Sequence, residues 1–529
     1  MIQSVRLPCD EASIQHSHAA GGCPRDTEKW VLAATILGST MAFVDGSVVN
    51  VALPVLQIDL RTTVSDLQWV VEAYTLFLAA LTLVGGALGD RYGRRAVFTI
   101  GVVVFALASA VCGLAPGASQ LIIARAVQGI GAALLVPGSL AIIGASFGND
   151  RRGRAIGTWS GLTAISTAVG PVLGGWLVEH VSWRAVFFIN LPLAIAVVII
   201  AVWRVPESRA GSNQGRLDWP GALAVTLGLG TLVFGLIQAG ALGLSHPIVL
   251  AALAVGVISM CAFLVVEARS RSPMMPLDPF QSRVFDGANL LTLMLYAALG
   301  GAFFFVPLNL IQVQGYSPTA AGSAFLPFIV IMSVLGRWSG GLVDRYGARL
   351  PLVVGPTIAA AGFALLALPG IGGSYWTTFF PAMVTLGLGM AITVAPLTTT
   401  VMNAVDEDHV GVASGINNSV ARVAGLLAVA VFGIVVLVTF DGSLDQRLAS
   451  LHLPPRTQVA VDAQRTRLAS IQVPTDISPG TQFRIKRAVA AAYVDGYRLA
   501  MLVAAGLALV SAGSAELLIG GRRAKTPAR

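Results

Sequence analysis

The stretch Gly86-Ala-Leu-Gly-Asp90-Arg-Tyr-Gly93-Arg-Arg95 returns 254 residues later as Gly340-Gly-Leu-Val-Asp344-Arg-Tyr-Gly347-Ala-Arg349. Each copy ends an apolar run of roughly 20 residues, long enough as a helix to cross about 30 Å of hydrocarbon. Fourteen such runs are read along the chain, at 31–53, 68–88, 97–115, 120–143, 155–178, 185–203, 219–238, 247–266, 288–311, 321–343, 351–369, 376–400, 412–438 and 499–519. Only helices or closed barrels satisfy backbone polar groups in lipid, and long runs without alternation exclude a barrel. The fold class is therefore an all-α integral membrane bundle.

Composition agrees. Of 529 residues, 55% are hydrophobic and 11% charged, against about 25% charged in a soluble domain. The net charge of +8 does not mark a nucleic-acid binder, because the basic residues fall between apolar runs. Cys9, Cys23, Cys112 and Cys261 are scattered, so no disulfide framework is expected. Cys9, His16, His18 and Cys23 fit no zinc spacing, and no metal site is expected. Residues 1–28 lack the apolar centre of a signal peptide, which leaves the first run as a retained helix.

Basic residues also set the orientation, since Lys and Arg concentrate in short cytoplasmic loops. With the N-terminus inside, Arg91, Arg94, Arg95, Arg151, Arg152, Arg154, Arg204, Arg269, Arg345 and Arg349 all lie on the cytoplasmic side, and only Arg61 and Arg184 lie in short external loops. Both termini are then cytoplasmic. The abundance of arginine over lysine, with only Lys29, Lys486 and Lys525 among the basic residues, hints at a GC-rich bacterial source. The segment 439–498, with Pro454-Pro455 and mixed charge, is expected outside as a partly helical, membrane-hugging loop or a small cap.

Eight runs separate the two copies of the loop. Halves built as parallel six-helix repeats place equivalent loops six helices apart, so two helices must be inserted between them. The seventh and eighth runs, bounded by Arg204 to Arg216 and by Ser272-Pro-Met-Met-Pro-Leu-Asp-Pro279, are that insert. The expected division is a tail at 1–28, a six-helix bundle at 29–204, the inserted pair with linkers at 205–283, a second bundle at 284–519 and a tail at 520–529.

Several further stretches share one pattern: Phe43-Val-Asp45-Gly-Ser-Val-Val-Asn50-Val-Ala-Leu-Pro54, Arg125-Ala-Val-Gln128-Gly129, Gly170-Pro171-Val-Leu-Gly174-Gly175, Trp183-Arg184-Ala-Val-Phe-Phe-Ile-Asn190-Leu-Pro192, Gly315-Tyr-Ser-Pro-Thr-Ala-Ala-Gly322 and Ser414-Gly-Ile-Asn417-Asn418. In this order, with the repeated loop, the chain resembles the major facilitator superfamily and, within it, the fourteen-helix drug:proton antiporters. The resemblance implies a 6+2+6 architecture, Asp45 as a proton-coupling carboxylate, and an antiport role for Gly170, Pro171, Gly174 and Gly175.

The residues read by themselves point to the same region. An ionisable group inside the bilayer costs at least about 2.5–3.5 kcal/mol and is a functional candidate by default. Asp45, Glu72 and Arg125 fall in one depth band when placed at about 1.5 Å per residue. A carboxylate there exchanges its proton as a neighbouring arginine or an arriving cation comes and goes. The alternative for Asp45 is a fixed ion pair with Arg125 that locks the first and fourth helices; for Glu72 it is a side chain snorkelling to the water interface. Arg337 is expected to reach the interface, and Arg422, deeper, to find Asn417, Asn418 or helix-end carbonyls. Aromatics including Phe43, Tyr74, Trp159, Tyr296, Phe303 and Phe328 either line an apolar cavity or face lipid.

In the repeated loop, Gly86 is expected to allow close helix approach and Gly93 a tight turn, while Asp90, Arg91, Arg94 and Arg95, with Asp344 and Arg345 in the second copy, form a charge latch. In the fifth run, the glycines allow close packing and Pro171 bends the helix.

The expected function is a proton-coupled exporter of lipophilic, cationic compounds across a bacterial cell membrane, driven by the proton-motive force with no cofactor. Its expected partners are small molecules, protons and the bilayer. An exporter of an endogenous lipid, peptide or secondary metabolite is the alternative. A membrane enzyme would need a polar cluster at the membrane boundary, for which Asp406-Glu-Asp408-His409 is a poor candidate, and no Walker lysine loop suggests use of ATP.

Overall fold

The computed structural model describes residues 25–209, 218–270, 273–406 and 410–519. The terminal tails, with Cys9, His16, His18 and Cys23, most of the turn at 406–409 and the side chain of Arg337 lie outside the described residues. Among the described residues, fourteen helices are long and apolar enough to cross a membrane, and no strand occurs. Cys112 and Cys261 are free thiols.

The helices are α1 (Arg25–Asp59), α2 (Val64–Tyr92), α3 (Arg94–Leu114), α4 (Ala118–Ser146), α5 (Asn149–His180), α6 (Ala185–Phe188), α7 (Asn190–Arg204), α8 (Trp219–Leu242), α9 (Pro247–Arg269), α10 (Arg283–Leu308), α11 (Pro318–Ser323), α12 (Leu326–Ser339), α13 (Leu342–Tyr346), α14 (Arg349–Leu366), α15 (Tyr375–Asn403), α16 (Val410–Ala449), α17 (Pro455–Asp462) and α18 (Pro479–Ser514). They gather into two compact units. One comprises the chain to Gly235 with Pro247–Met274 and Tyr316–Ser323; the other comprises Leu236–His246, Met275–Gly315 and the chain from Ala324.

Local chemistry starts and stops these helices. Thr63 caps α2: its hydroxyl oxygen accepts from the Asp66 N–H at 3.2 Å, while the Asp66 carboxylate accepts from the Thr63 N–H at 3.0 Å. This reciprocal box satisfies two orphan donors of the first turn. Gly93, at φ +116°, divides α2 from α3, and Gly347, at φ +74°, stands at the same place in the second copy of the loop. Both backbone angles lie where side chains with a Cβ are strained.

The run expected as one helix over 321–343 is broken into α11, α12 and α13. Pro327, in the first turn of α12, has no N–H to carry a helical hydrogen bond back into α11. By contact, α11 belongs to the first unit and α12 to the second. The expected loop at 439–498 is shorter than its lack of apolar residues suggested. α16 runs on to Ala449 and α18 begins at Pro479, leaving α17 and a 3-10 turn, Arg465–Ser470, between them. Polar sequence ends an apolar run without ending a helix.

In the first unit, α2 packs along α4, α3 along α4, and α1 along α5 and α7. The core here includes Phe98, Val102, Phe105, Leu135 and Ile143, all fully buried or nearly so. Glycines set the closest approaches: a Cβ on Gly101 would lie 2.8 Å from Leu134 Cβ, and one on Gly131 would lie 2.6 Å from the Phe105 nitrogen. α8 and α9 pair in the same manner, a Cβ on Gly256 falling 2.6 Å from Leu232. In the second unit, α14 packs on α15 and α18, and α10 on α16 and α18.

Candidate functional site: a sealed carboxylate in the first unit

Asp45 of α1 and Arg125 of α4 are each 1% exposed. Asp45 Oδ2 accepts from Arg125 Nη1, and Asp45 Oδ1 accepts from Gln128 Nε2 at 2.8 Å and from Asn190 Nδ2 at 3.1 Å. Arg125 is held as completely: Nε donates to the Val70 carbonyl at 3.0 Å and Nη1 to Gln128 Oε1 at 2.7 Å. Its guanidinium carbon lies 4.3 Å from the centroid of Tyr74 and 5.9 Å from that of Phe187. The Tyr74 hydroxyl donates to the Ala42 carbonyl at 3.0 Å, fixing the ring over the cation. Behind Asn190, Ser109 Oγ accepts from Asn190 Nδ2 at 3.0 Å and donates to the Phe187 carbonyl at 2.8 Å.

This answers the desolvation problem. Two charges removed from water are tolerated only when paired and hydrogen-bonded on their remaining sides. The consequence is a knot in which the Asp45 carboxylate holds Arg125 and Gln128 of α4 and Asn190 of α7 around α1.

Glu72 is also 1% exposed but does not join the pair. Its Oε2 is buried with no hydrogen-bond partner. It lies between Trp69 and Leu76 along α2, the positions that meet the inserted helix α8: Trp69 is 6.4 Å from Phe234, and Leu76 is 3.5 Å from where a Cβ on Gly230 would sit. Val70, Tyr74 and Phe77 face α4 instead, through Arg125 and Gly129. A shared depth brought Asp45 and Arg125 together; the rotation of α2 keeps Glu72 apart, and it is enclosed rather than snorkelling.

The fifth-helix glycines press on α1 next to this site. A Cβ on Gly170 would collide with Ser47 Oγ, and one on Gly174 would lie 3.0 Å from the Val48 carbonyl oxygen. Gly175 packs against the Pro318 carbonyl, and Gly322 against that of Pro171, so α11 docks on α5 backbone to backbone. Gly161 has open space around it.

In the repeated loop, Arg94 Nε donates to Asp90 Oδ1 at 2.8 Å, one turn apart. Arg91 stacks on its neighbour Tyr92 at 5.8 Å. The close helix approach falls on Gly85, whose Cβ would strike the Ala133 carbonyl; one on Gly86 would make an ordinary contact, 3.7 Å from Pro137. The second copy has Ala348 where the first has Arg94, so Asp344 cannot repeat the one-turn pair, and Arg345 gains no equivalent of it.

Of the other ionisable groups, Arg498 donates to the carbonyls of Leu368 and Pro369 at 3.3 and 3.4 Å, capping the end of α14. Several aromatics expected to line a cavity pack on one another: Phe303 meets Phe325 and Phe328 edge-on at 5.1 Å, and Phe43 meets Trp159 at 6.5 Å. Gln128, Asn190 and Tyr74 are the functional neighbours that intramembrane charge alone did not single out. The signal for the first two was an amide in an otherwise apolar run, close to a charged position or a short turn.

Comparisons with known proteins identify the family. The chain is 34% identical to the tetracenomycin C resistance and export protein of Streptomyces glaucescens, over 96% of this chain and 94% of that protein. It is 33% identical to the multidrug resistance protein Stp of Mycobacterium tuberculosis, over 92% of this chain and 91% of that protein. Its fold matches a bacterial homologue of the human lysosomal transporter Spinster with a TM-score of 0.63, at 15% identity, covering 93% of this chain and 98% of that one. The family model of the Major Facilitator Superfamily matches residues 35–429, and the chain belongs to that superfamily as a multi-pass membrane transporter.

Proposed function

We propose that this transporter is a drug exporter driven by proton antiport, with Asp45 as the coupling carboxylate. The observation that carries the reading is the Asp45 knot: a buried carboxylate holding donors from two other helices, so that gaining or losing one proton changes what ties α1 to α4 and α7. The resistance and export proteins it resembles, including one for tetracenomycin C, support export and favour natural-product or drug-like small molecules over nutrients. No cofactor is needed for such a cycle; the proton gradient supplies the work.

In this reading Arg125 holds Asp45 until protonation, and Glu72 is a second acid, available to a lipophilic cation. Gly170, Pro171, Gly174 and Gly175 let α5 slide on α1. Asp90 with Arg94, and Glu207 with Arg95, restrain the loop after α2 until the state changes. The arginine distribution supports cytoplasmic termini and a 6+2+6 order in the cell membrane.

The test is gradient-driven movement of fluorescent lipophilic cations in proteoliposomes, comparing wild type with Asp45→Asn. Loss of movement in a variant that still reconstitutes as folded, monodisperse protein is expected. Gradient-driven movement that persists in Asp45→Asn would overturn Asp45 as the coupling group.

A further inference from the structure

A second polar place lies in the second unit and includes none of the charged residues the coupling reading uses. Between α10, α15 and α16 is a cavity of about 150 Å³, lined by Tyr296, Thr398, Met402, Ser414, Asn417 and Asn418 among others. Among the described residues, no carboxylate lines it. Asn417 is anchored from behind, its amide nitrogen donating to Asn289 Oδ1 at 3.1 Å and to Thr292 Oγ1 at 2.7 Å. That spends the donor end and leaves its Oδ1 as an acceptor. The Asn418 amide donates to the Ser414 carbonyl at 3.0 Å, again leaving an acceptor. The Tyr296 and Ser414 hydroxyls make no hydrogen bond among the described residues.

Held amide oxygens beside uncommitted hydroxyls match a ligand group that both donates and accepts. With no carboxylate among the described lining residues, nothing there is built to hold a positive group. A drug-sized site measures about 300–1,000 Å³, so this cavity suits one ring or polar arm, not a whole molecule. Such a site discriminates strongly, because polar groups removed from water are left unpaired when the wrong ligand enters.

We propose that this cavity binds the hydroxylated, oxygen-rich end of a neutral substrate, with Tyr296, Ser414, Asn417 and Asn418 as its specificity-determining residues. The proposal rests on the reading of the chain as a drug exporter and deepens it by naming the substrate's chemistry. On this reading the substrate is selected here by hydrogen bonding rather than by positive charge.

The experiment is equilibrium dialysis of purified full-length protein, without a proton gradient, against two probes. One is 1,8-dihydroxyanthraquinone; the other is tetraphenylphosphonium, a lipophilic cation with no hydrogen-bonding group. Tyr296→Phe and Ser414→Ala are each expected to weaken anthraquinone binding about tenfold, the worth of one hydrogen bond, and to leave tetraphenylphosphonium within about twofold. Thermal midpoints equal to wild type show that both variants fold; Asn418→Leu is the fallback at an exposed position. Equal weakening of both probes, no weakening of the anthraquinone, or no anthraquinone binding to wild type would each overturn the proposal. Binding is read without a gradient, so a failure of proton-driven export in liposomes leaves this result standing, and the reverse holds.

Discussion

Arg95 and Glu207 lie 112 residues apart and close the start of α3 between them: the Glu207 carboxylate accepts the Arg95 N–H at 3.0 Å and the Ala96 N–H at 3.1 Å, and stands 3.6 Å from the Arg95 guanidinium. Gly93 offers no side chain to cap that helix, so the cap comes from the linker after α7. The second copy of the loop has a parallel. Arg349 occupies the place of Arg95 and pairs with Glu516, Nε to Oε2 at 2.9 Å, just past the end of α18. In each unit an arginine at the end of the repeated loop is thus held by a glutamate from a helix end far along the chain. Glu207→Ala removes a cap and is expected to cost about 1–2 kcal/mol. A lowered thermal midpoint in detergent, smaller for Glu207→Gln, checks it; an unchanged midpoint in Glu207→Ala would refute the capping role.

The Asp45–Arg125 pair predicts a pattern in a double-mutant cycle. Removing one partner strands a buried charge and costs about 3–5 kcal/mol, whereas removing both strands none. Asp45→Asn and Arg125→Gln should each lower the thermal midpoint, and the double variant should recover most of the loss while gradient-driven transport stays absent. If the double variant is as unstable as the sum of the singles, the two groups act independently and the knot is not the unit of stability.

Much of this was legible in the sequence, and what was not has a common cause. Length and hydropathy place a residue along a membrane normal, so the depth of Asp45 and Arg125 was readable, and they meet. Hydropathy does not give the rotation of a helix. Glu72 shares the depth and faces α8 instead, and the tight glycine of α2 is Gly85, one residue and about 100° from Gly86. Gln128 and Asn190 have no charge to mark them, and an amide reads alike whether it meets a carboxylate or lipid headgroups. Glu207 stands in a polar linker where a glutamate is unremarkable until α3 is seen beginning without a cap of its own.

The rotation of α2 can be checked with two alanines. Gly85→Ala drives a Cβ into the Ala133 carbonyl, backbone that has nowhere to go, whereas the Cβ of Gly86→Ala meets Pro137 at ordinary distance. Overpacking of this kind costs about 1–3 kcal/mol. Gly85→Ala should reduce the yield of monodisperse protein and its thermal midpoint, and Gly86→Ala should leave both unchanged. Reversed behaviour would mean that α2 presents its other face to α4.

Between α16 and α18 a single arginine gathers three acids. Arg465 donates to Asp462 at 2.7 Å and to Asp445, and lies 4.0 Å from Asp441. The hydrogen bond to Asp445, followed by that to Asp462, holds the guanidinium in its charged form well beyond its ordinary range, so it stays a cation at any working pH. Each pair is partly exposed and by itself worth less than about 1 kcal/mol. Removing Arg465, however, leaves three aspartates facing one another with nothing between them. Arg465→Ala should therefore make the segment 450–478 more susceptible to limited proteolysis at neutral pH, and acidification, by discharging the aspartates, should reduce the difference from wild type. Binding of 1,8-dihydroxyanthraquinone should not change, because no residue lining its cavity belongs to this cluster. Equal digestion of variant and wild type at neutral pH would show that the segment is held by its apolar contacts, through Val461 and Leu468, and that the arginine contributes nothing to it.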